Sequence, residues 1–286
     1  MINDFFLNRI KKYNPKSIIE IKNAMRETLQ DIILVAIGKS DFFNSCVFYG
    51  GTSLRIFKEL PRFSEDLDFS LFIDKEIELI NYMPFISKEL NSCGIQHTIT
   101  EKKKSIEITV ESRFIDFNLK YLFEITFIEY VPQIIDNEIL SIKIELEKNH
   151  FAGGKTELKL LTYPSFAQIR TFDIETLFAS KLLAVLKRKW KSRIKGRDFY
   201  DYLFYIFLGT KVNMSFLENG LKKFGQLKDN DVFTIDNLKN ALKERFEQID
   251  FEKAKEDVKP FISSNDKFID SFNKDIFIST IDLIKC

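Results

Sequence analysis

The 286-residue chain is 45% hydrophobic and 30% charged with a net charge of +1, an ordinary globular balance long enough for two domains or one large one. That near-neutrality excludes a global electrostatic pull toward nucleic acid, so any such pull must be local. Three scattered cysteines and two isolated histidines offer neither a disulfide framework nor zinc spacing, and they argue against histidine-based nucleophilic catalysis. A reducing cytoplasm is the expected setting. Neither a charged-then-apolar leader nor a long apolar span is present, so export and membrane insertion are not expected.

Taken in order, residues 1–45 read as helical. After Pro15-Lys16-Ser17, an amphipathic stripe runs through Ile18, Ile21, Met25, Leu29, Ile32 and Ile33, suited to covering a sheet. Cys46-Val47-Phe48-Tyr49 is a short strand pattern broken by Gly50-Gly51. The apolar period then lengthens through Leu54, Phe57 and Leu60 to a helix that stops at Pro61. Leu67 to Leu71 reads as a second strand, with Asp66 and Asp68 at its start. Residues two apart on a strand share a face, so the two carboxylates lie side by side while Leu67 and Phe69 face the core. Close carboxylates repel and raise each other's pKa unless a cation sits between them, and oxygen-only ligands suit Mg²⁺ best. The double glycine lets backbone approach a ligand closely and aims helix N–H groups at an anion such as phosphate.

Ile77 to Leu90 reads as another helix, ending at Ser92-Cys93-Gly94. Strand patterns follow at Ile106-Ile108-Val110, at Leu119-Tyr121-Phe123 with Ile125-Phe127, and at Leu140-Ile142-Ile144-Leu146. On the last of these, Glu145 is by spacing alone a solvated strand residue. His150 to Pro164, with Gly153-Gly154, reads as a loop between lobes. A helix begins near Asp173, where Asp173 or Thr171 can cap, with Ile174, Leu177, Phe178, Leu182 and Val185 as its apolar stripe and Lys181 on the flank. An ammonium there either snorkels to solvent or meets an anion. Asp198 can be a first-turn acid favoured by the helix dipole, and Asp201 either the same or a partner of Arg197. Between Lys181 and Arg197 stand Lys187, Arg188, Lys189, Lys191, Arg193 and Lys195, with no acid among these basic residues. Such a run is a solvated helix end or an RNA-facing patch, in which Trp190 can stack on an exposed base. Met214 to Cys286 alternates helical patterns with charged surface and carries no motif. No Walker string is present, which argues against a P-loop NTPase.

The string GGTSLRIFKELPRFSEDLDF resembles the bacterial AbiEii/AbiGii toxin family, within the DNA polymerase β-like nucleotidyltransferases. Two further blocks carry the likeness: SIKIE at residues 141–145, and IETLFASKLLAVLKR followed by KGRDFYDYLFYI. Together they span most of residues 46–208. The resemblance implies an α+β fold, with a nucleotidyltransferase core and N-terminal helical cover over residues 1–165. Residues 166–286 then form a mainly helical lobe contributing Lys181 and Asp198. It implies two Mg²⁺ ions held by Asp66, Asp68 and a third carboxylate, Glu145, with Asp116 and Glu147 as rivals; many members carry Asp where this chain has Glu145. Gly50, Gly51 and Thr52 would donate to nucleotide phosphate, with Arg62 and Ser64 nearby. Lys181 matches the lysine that reaches the phosphates, and Asp198 matches the catalytic aspartate, either orienting Lys181 or serving as an acceptor-side base. The implied activity is transfer of NMP from an NTP to RNA, such as the tRNA 3′ end, by the toxin of a toxin–antitoxin or phage-defence pair with a cognate antitoxin. The alternatives are transfer to a protein hydroxyl and NTP or RNA binding without turnover.

Overall fold

The computed structural model describes residues 2–101, 109–126, 128, 136–150, 152–188, 194–263 and 266–286. Two compact units are present. The first comprises Met1–Ser53, Phe63–His150 and Leu158–Thr171, and the second Leu54–Arg62, Phe151–Glu157 and Phe172–Cys286.

The first unit opens with helices α1 (Ile2–Lys12) and α2 (Ile18–Gly38). Ser17 starts α2 by accepting a hydrogen bond from the Glu20 amide at 3.2 Å, which satisfies one of the unpaired N–H groups of the first turn. From Asn23 to Ile37 every residue except Arg26 is buried, so α2 is a central helix rather than the half-exposed cover its stripe suggests. Arg9 of α1 anchors to it through Asp31, with Nε at 3.0 Å and Nη2 at 2.7 Å from Oδ2. Strand β1 (Cys46–Tyr49), helix α3 (Gly50–Lys58) and strand β2 (Leu67–Leu71) follow. Next come α4 (Met83–Ser92), β3 (Thr98–Thr100), β4 (Val110–Asn118), α5 (Leu119–Thr126), β5 (Ile139–Glu147), β6 (Thr156–Leu161) and β7 (Ala167–Phe172).

The seven strands form one mixed sheet in the order β3-β4-β5-β2-β1-β7-β6. β2 is antiparallel to β1 and parallel to β5, while β7 runs parallel to β1. Phe48 and Phe69 face each other across β1 and β2 with ring centroids 5.3 Å apart. Phe42 closes edge-on over Phe69 at 5.0 Å, a favourable aromatic geometry that makes these residues the core under the site.

Three elements differ from the sequence expectation. The helix expected from Ile77 is a short 3₁₀ turn, Leu79–Tyr82, followed by α4, whose Pro84 lies in the first turn where a missing N–H costs nothing. The strand expected from Leu119 is helix α5: buried Leu119, Leu122, Phe123 and Thr126 follow the helical period, and Asn118 Oδ1 caps the Tyr121 amide at 2.9 Å. The loop expected from His150 to Pro164 contains β6 at the edge of the sheet. Ile106, Ile108 and Phe127 lie outside the described residues.

The second unit holds α6 (Ile174–Lys187), α7 (Gly196–Phe207), α8 (Met214–Lys223), α9 (Ile235–Glu247), α10 (Phe251–Val258) and α11 (Lys274–Ser279). Asp173 caps α6 by accepting from the Thr176 amide at 2.8 Å. Phe199, Tyr202, Phe246 and Phe277 interlock as its core, with Tyr202 and Phe246 5.1 Å apart and Phe246 and Phe277 5.2 Å apart. The protein is therefore α+β: a mixed sheet flanked by helices, followed by a mostly helical C-terminal lobe. Among the described residues no helix is long and apolar enough to cross a membrane.

The start of α7 meets α10 so closely that a Cβ at Gly196 would lie 1.8 Å from the Ala254 carbonyl oxygen. Backbone cannot yield as a flexible side chain would, so Gly196→Ala should cost about 3 kcal/mol through overpacking. Urea unfolding measures this, and an unchanged midpoint would contradict the close approach.

Candidate functional site

In the first unit, the two strands carrying the motif carboxylates are held in register. Tyr49 pairs with Asp68 across β1 and β2, and Asp68 pairs with Glu145 across β2 and β5. Residues paired in this way point to one face about 4.8 Å apart. Gly50 sits against the Asp68 carboxylate: an added Cβ would lie 2.4 Å from Oδ2, and the glycine φ of +80° turns the chain from strand into helix. Both demands exclude other residues at position 50. Asp66 and Asp68 are partly exposed.

Glu145 stands where the third carboxylate was expected, but its side chain is engaged. Lys143, two residues earlier on the strand, pairs with its Oε1, and Ser112 Oγ of β4 donates to the same oxygen at 3.1 Å. Asp116 pairs instead with Ser141, four residues or roughly 13 Å along β5 from Glu145. Its carboxylate accepts from Ser141 at 2.6 Å and from Thr100 at 3.1 Å. Glu147 pairs with Ser70, one step beyond, and accepts from the Asn149 amide at 3.0 Å. Of the three candidates, Glu145 is the one beside Asp68.

The irregular segment between α3 and β2 lacks a strand or helix ladder for its carbonyls, so side chains supply the donors. Arg55 Nη1 donates to Leu60 O at 2.6 Å and to Pro61 O at 3.0 Å. Gln30 Nε2 donates to Ser64 O at 3.1 Å and to Glu65 O at 2.8 Å. Thr52 Oγ1 donates to Asp66 O at 2.5 Å. Thr52, expected as a phosphate donor, thus holds the backbone of Asp66, and Ser64, within the same loop, is buried.

The donor set suits a hard cation. Among the described residues no three Asp, Glu, His or Cys side chains converge. Mg²⁺, however, is usually held by one or two carboxylates, with water and substrate phosphate completing the octahedron. Asp66 and Asp68 meet that requirement, and Glu145 joins them only by exchanging Lys143 for the metal.

The second unit contains a buried ion network. Arg62 grips Asp201 with Nε–Oδ1 and Nη2–Oδ2 both at 2.6 Å, and the two side chains are 3% and 0% exposed. Lys181 of α6 bridges α7, lying 2.9 Å from Asp198 Oδ1 and 2.9 Å from Asp201 Oδ2. Arg188 pairs with Asp198 Oδ2. Asp198 and Asp201 lie three residues apart, hence on one face of α7. Burial would raise both carboxyls, but Lys181 and Arg188 hold Asp198 below its ordinary value, and Arg62 and Lys181 do the same for Asp201. Burial would lower the Lys181 ammonium, yet Asp198 and Asp201 hold it above its ordinary value. Lys195 goes the other way: burial, then Arg188, push its pKa down.

Sequence spacing offered Arg197 as the partner of Asp201, whereas the structure assigns Arg62 to it. Arg62, expected near the nucleotide, is enclosed in this pair. Gln30, Ser112 and Arg55 were not anticipated. Nothing in the sequence singled out Gln30, which stands among other polar residues of the same helix, Glu27, Thr28 and Asp31. Of the basic run, Lys187 lies over the Phe224 ring at 3.0 Å and Arg197 over Phe261 at 4.1 Å, so several of its cations are already engaged. Lys189, Trp190, Lys191 and Arg193 lie outside the described residues.

Known proteins share this architecture. JHP933 from Helicobacter pylori superposes with a TM-score of 0.53 at 19% identity, over 91% of this chain and 90% of that one. MenT4, a nucleotidyltransferase toxin from Mycobacterium tuberculosis H37Rv, superposes with a TM-score of 0.50 at 12% identity, over 98% of this chain and 88% of that one. At such identities the likeness is one of fold. No curated protein sequence matches. The family model described as nucleotidyl transferase AbiEii toxin, type IV toxin–antitoxin system, matches residues 32–274. The class is therefore enzymatic, a nucleotidyltransferase. More narrowly, the chain belongs to the AbiEii toxin family, whose setting is toxin–antitoxin and phage defence.

Two outcomes follow from these contacts. Gly50→Ala should lower stability by about 1–3 kcal/mol through backbone strain, and displace the Asp68 carboxylate; equal melting and activity would refute the close approach. Asp201→Asn should destabilise by about 3–5 kcal/mol, because Arg62 stays buried without its bidentate partner. Because Asp198 and Asp201 are held below 3.8, their contribution is complete above that value and lost as pH falls through the lowered values. The variant's stability should accordingly fall less than the wild type's as pH falls below 3.8, as pH-dependent urea titrations would reveal.

Proposed function

We propose that this toxin transfers a nucleoside monophosphate from an NTP to an RNA acceptor such as the 3′ end of tRNA, with Mg²⁺ as cofactor. The acceptor hydroxyl oxygen bonds to the α-phosphorus, the bond to the β-phosphate oxygen breaks, and pyrophosphate leaves. The observation that carries the reading is the register that sets Asp68 beside Glu145 and against the Gly50 turn.

Asp66 and Asp68 would hold Mg²⁺, with Glu145 as third ligand once it leaves Lys143, and two ions are the expected complement. When bound, the metal neutralises charge on the moving phosphoryl oxygens and activates the acceptor hydroxyl. The Gly50 and Gly51 amides at the start of α3 direct N–H groups toward anionic phosphate. Lys181 keeps the phosphate-balancing role implied by the family motif, with Asp198 and Asp201 orienting its ammonium. Lys195 and Arg188 extend that positive cluster, which favours a polyanionic acceptor over a neutral one. The toxin–antitoxin description of the family supports a cognate antitoxin as partner, and the substrates place the reaction in the cytoplasm.

Incubation with each α-labelled NTP, Mg²⁺ and total RNA or total protein tests the acceptor: label should enter RNA of tRNA size, and label confined to protein would replace RNA with a protein hydroxyl. Asp66→Ala and Asp68→Ala should each abolish transfer while melting near the wild-type temperature. Mg²⁺ with NTP should raise the melting temperature of the wild type and not of either variant. Retained transfer in both variants would sink the metal assignment.

A further inference from the structure

The side chain of Gln30 is fully buried in the middle of α2, where Leu29, Ile32 and Ile33 are buried with it alongside the polar Thr28 and Asp31. Its Nε2 donates to two successive carbonyls, Ser64 O at 3.1 Å and Glu65 O at 2.8 Å. Two acceptors on that side settle which end of the amide faces the loop. Its Oε1 is buried with no hydrogen-bond partner among the described residues. An apolar side chain of similar length would avoid that unmet acceptor, so burial does not explain an amide here. What the amide does is hold the loop.

The geometry points to Gln30 as a positioning residue for the aspartate pair. A peptide unit is planar and rigid, so a hydrogen bond that holds its carbonyl oxygen restricts the whole unit. Gln30 holds the units that follow Ser64 and Glu65, and Thr52 Oγ1, through Asp66 O, holds the unit that follows Asp66. Three consecutive units held in this way restrict the backbone dihedrals of Glu65 and Asp66. With them is set the direction in which the Asp66 side chain leaves the chain, immediately before β2 begins at Leu67. The anchor is rigid because α2 is buried on almost every side from Asn23 to Ile37. Gln30 touches neither metal nor nucleotide in this account; it acts through the backbone. Groups that orient metal ligands from behind are as consequential as the ligands themselves.

This inference rests on the metal reading above, and its test separates the two. Gln30→Met keeps length and apolar volume but removes the donor; Gln30→Asn keeps the amide on a side chain too short to reach, and stands in if the Met variant fails to fold. Three readouts are taken: thermal melting, hydrogen exchange of the amides from Phe63 to Asp68 without metal, and Mn²⁺ binding by electron paramagnetic resonance. Asp68→Asn serves as the control. The loop amides should exchange at least about tenfold faster and Mn²⁺ affinity should fall about 10–100-fold, the usual range for loss of a group that orients a ligand. Melting should remain within a few degrees of the wild type. Unchanged loop exchange, or faster exchange with unaltered Mn²⁺ affinity, would overturn the positioning role while leaving the metal site intact. Absence of Mn²⁺ binding by the wild type, or equal binding by Asp68→Asn, would overturn the metal reading and this inference together.

Discussion

A methyl group at residue 50 would lie 2.4 Å from the Asp68 carboxylate and must displace it, while the φ of +80° strains any residue but glycine. Gly50 ends β1, begins α3 with a φ of +80° and leaves room for the acid on the neighbouring strand. These three roles are one constraint, because the Tyr49–Asp68 register places the strand end directly opposite the carboxylate. The parallel pairing of β2 with β5 then carries Glu145 alongside. Beneath, Phe48 and Phe69 lock the same register through the core face. A one-residue slip would turn both Asp68 and Phe69 to the wrong side of the sheet, so the core and the carboxylate pair stand or fall together.

The second unit builds a different kind of order. Burying Arg62, Asp198 and Asp201, with Lys181 and Arg188 partly exposed at their edge, gains little net stability, since desolvation offsets most of the attraction. Its consequence is geometric. Asp201 has one oxygen on Arg62 and the other on Lys181, and Asp198 has one on Lys181 and the other on Arg188. Each carboxylate therefore has a fixed orientation, and the Lys181 ammonium is caught between two of them. Three cations against two acids leave these five residues with an excess of one positive charge. Lys195, whose pKa is lowered by burial and by Arg188, adds to the same imbalance.

Much of this was legible in the chain itself. The glycine pair, the Asp-x-Asp strand, the cap at Asp173 and the helix of Lys181 follow from local periodicity and capping chemistry, which depend on neighbours a few residues away. The strand misread at Leu119 shows the limit: Leu119, Tyr121 and Phe123 alternate, yet Leu119, Leu122, Phe123 and Thr126 also fit a helical face, and the Asn118 cap decides between them. The partner of Asp201 was beyond reach for another reason. Arg62 lies 139 residues away in sequence, and no spacing rule pairs residues across such a distance. Gln30 was beyond reach as well, since its two acceptors are backbone carbonyls that a sequence does not display.

The motif string itself changes character once its contacts are known. Thr52 holds the Asp66 carbonyl, Ser53 meets the Thr171 hydroxyl at 2.7 Å, Arg55 holds Leu60 and Pro61, and Arg62 is enclosed with Asp201. Of the polar residues between Gly50 and Asp68, these four serve backbone and partner side chains inside the protein. Irregular backbone that presents a carboxylate has no ladder to define it, so each carbonyl needs its own donor at a fixed distance in sequence. A string of specified polar residues around two aspartates is therefore the expected signature of a held loop.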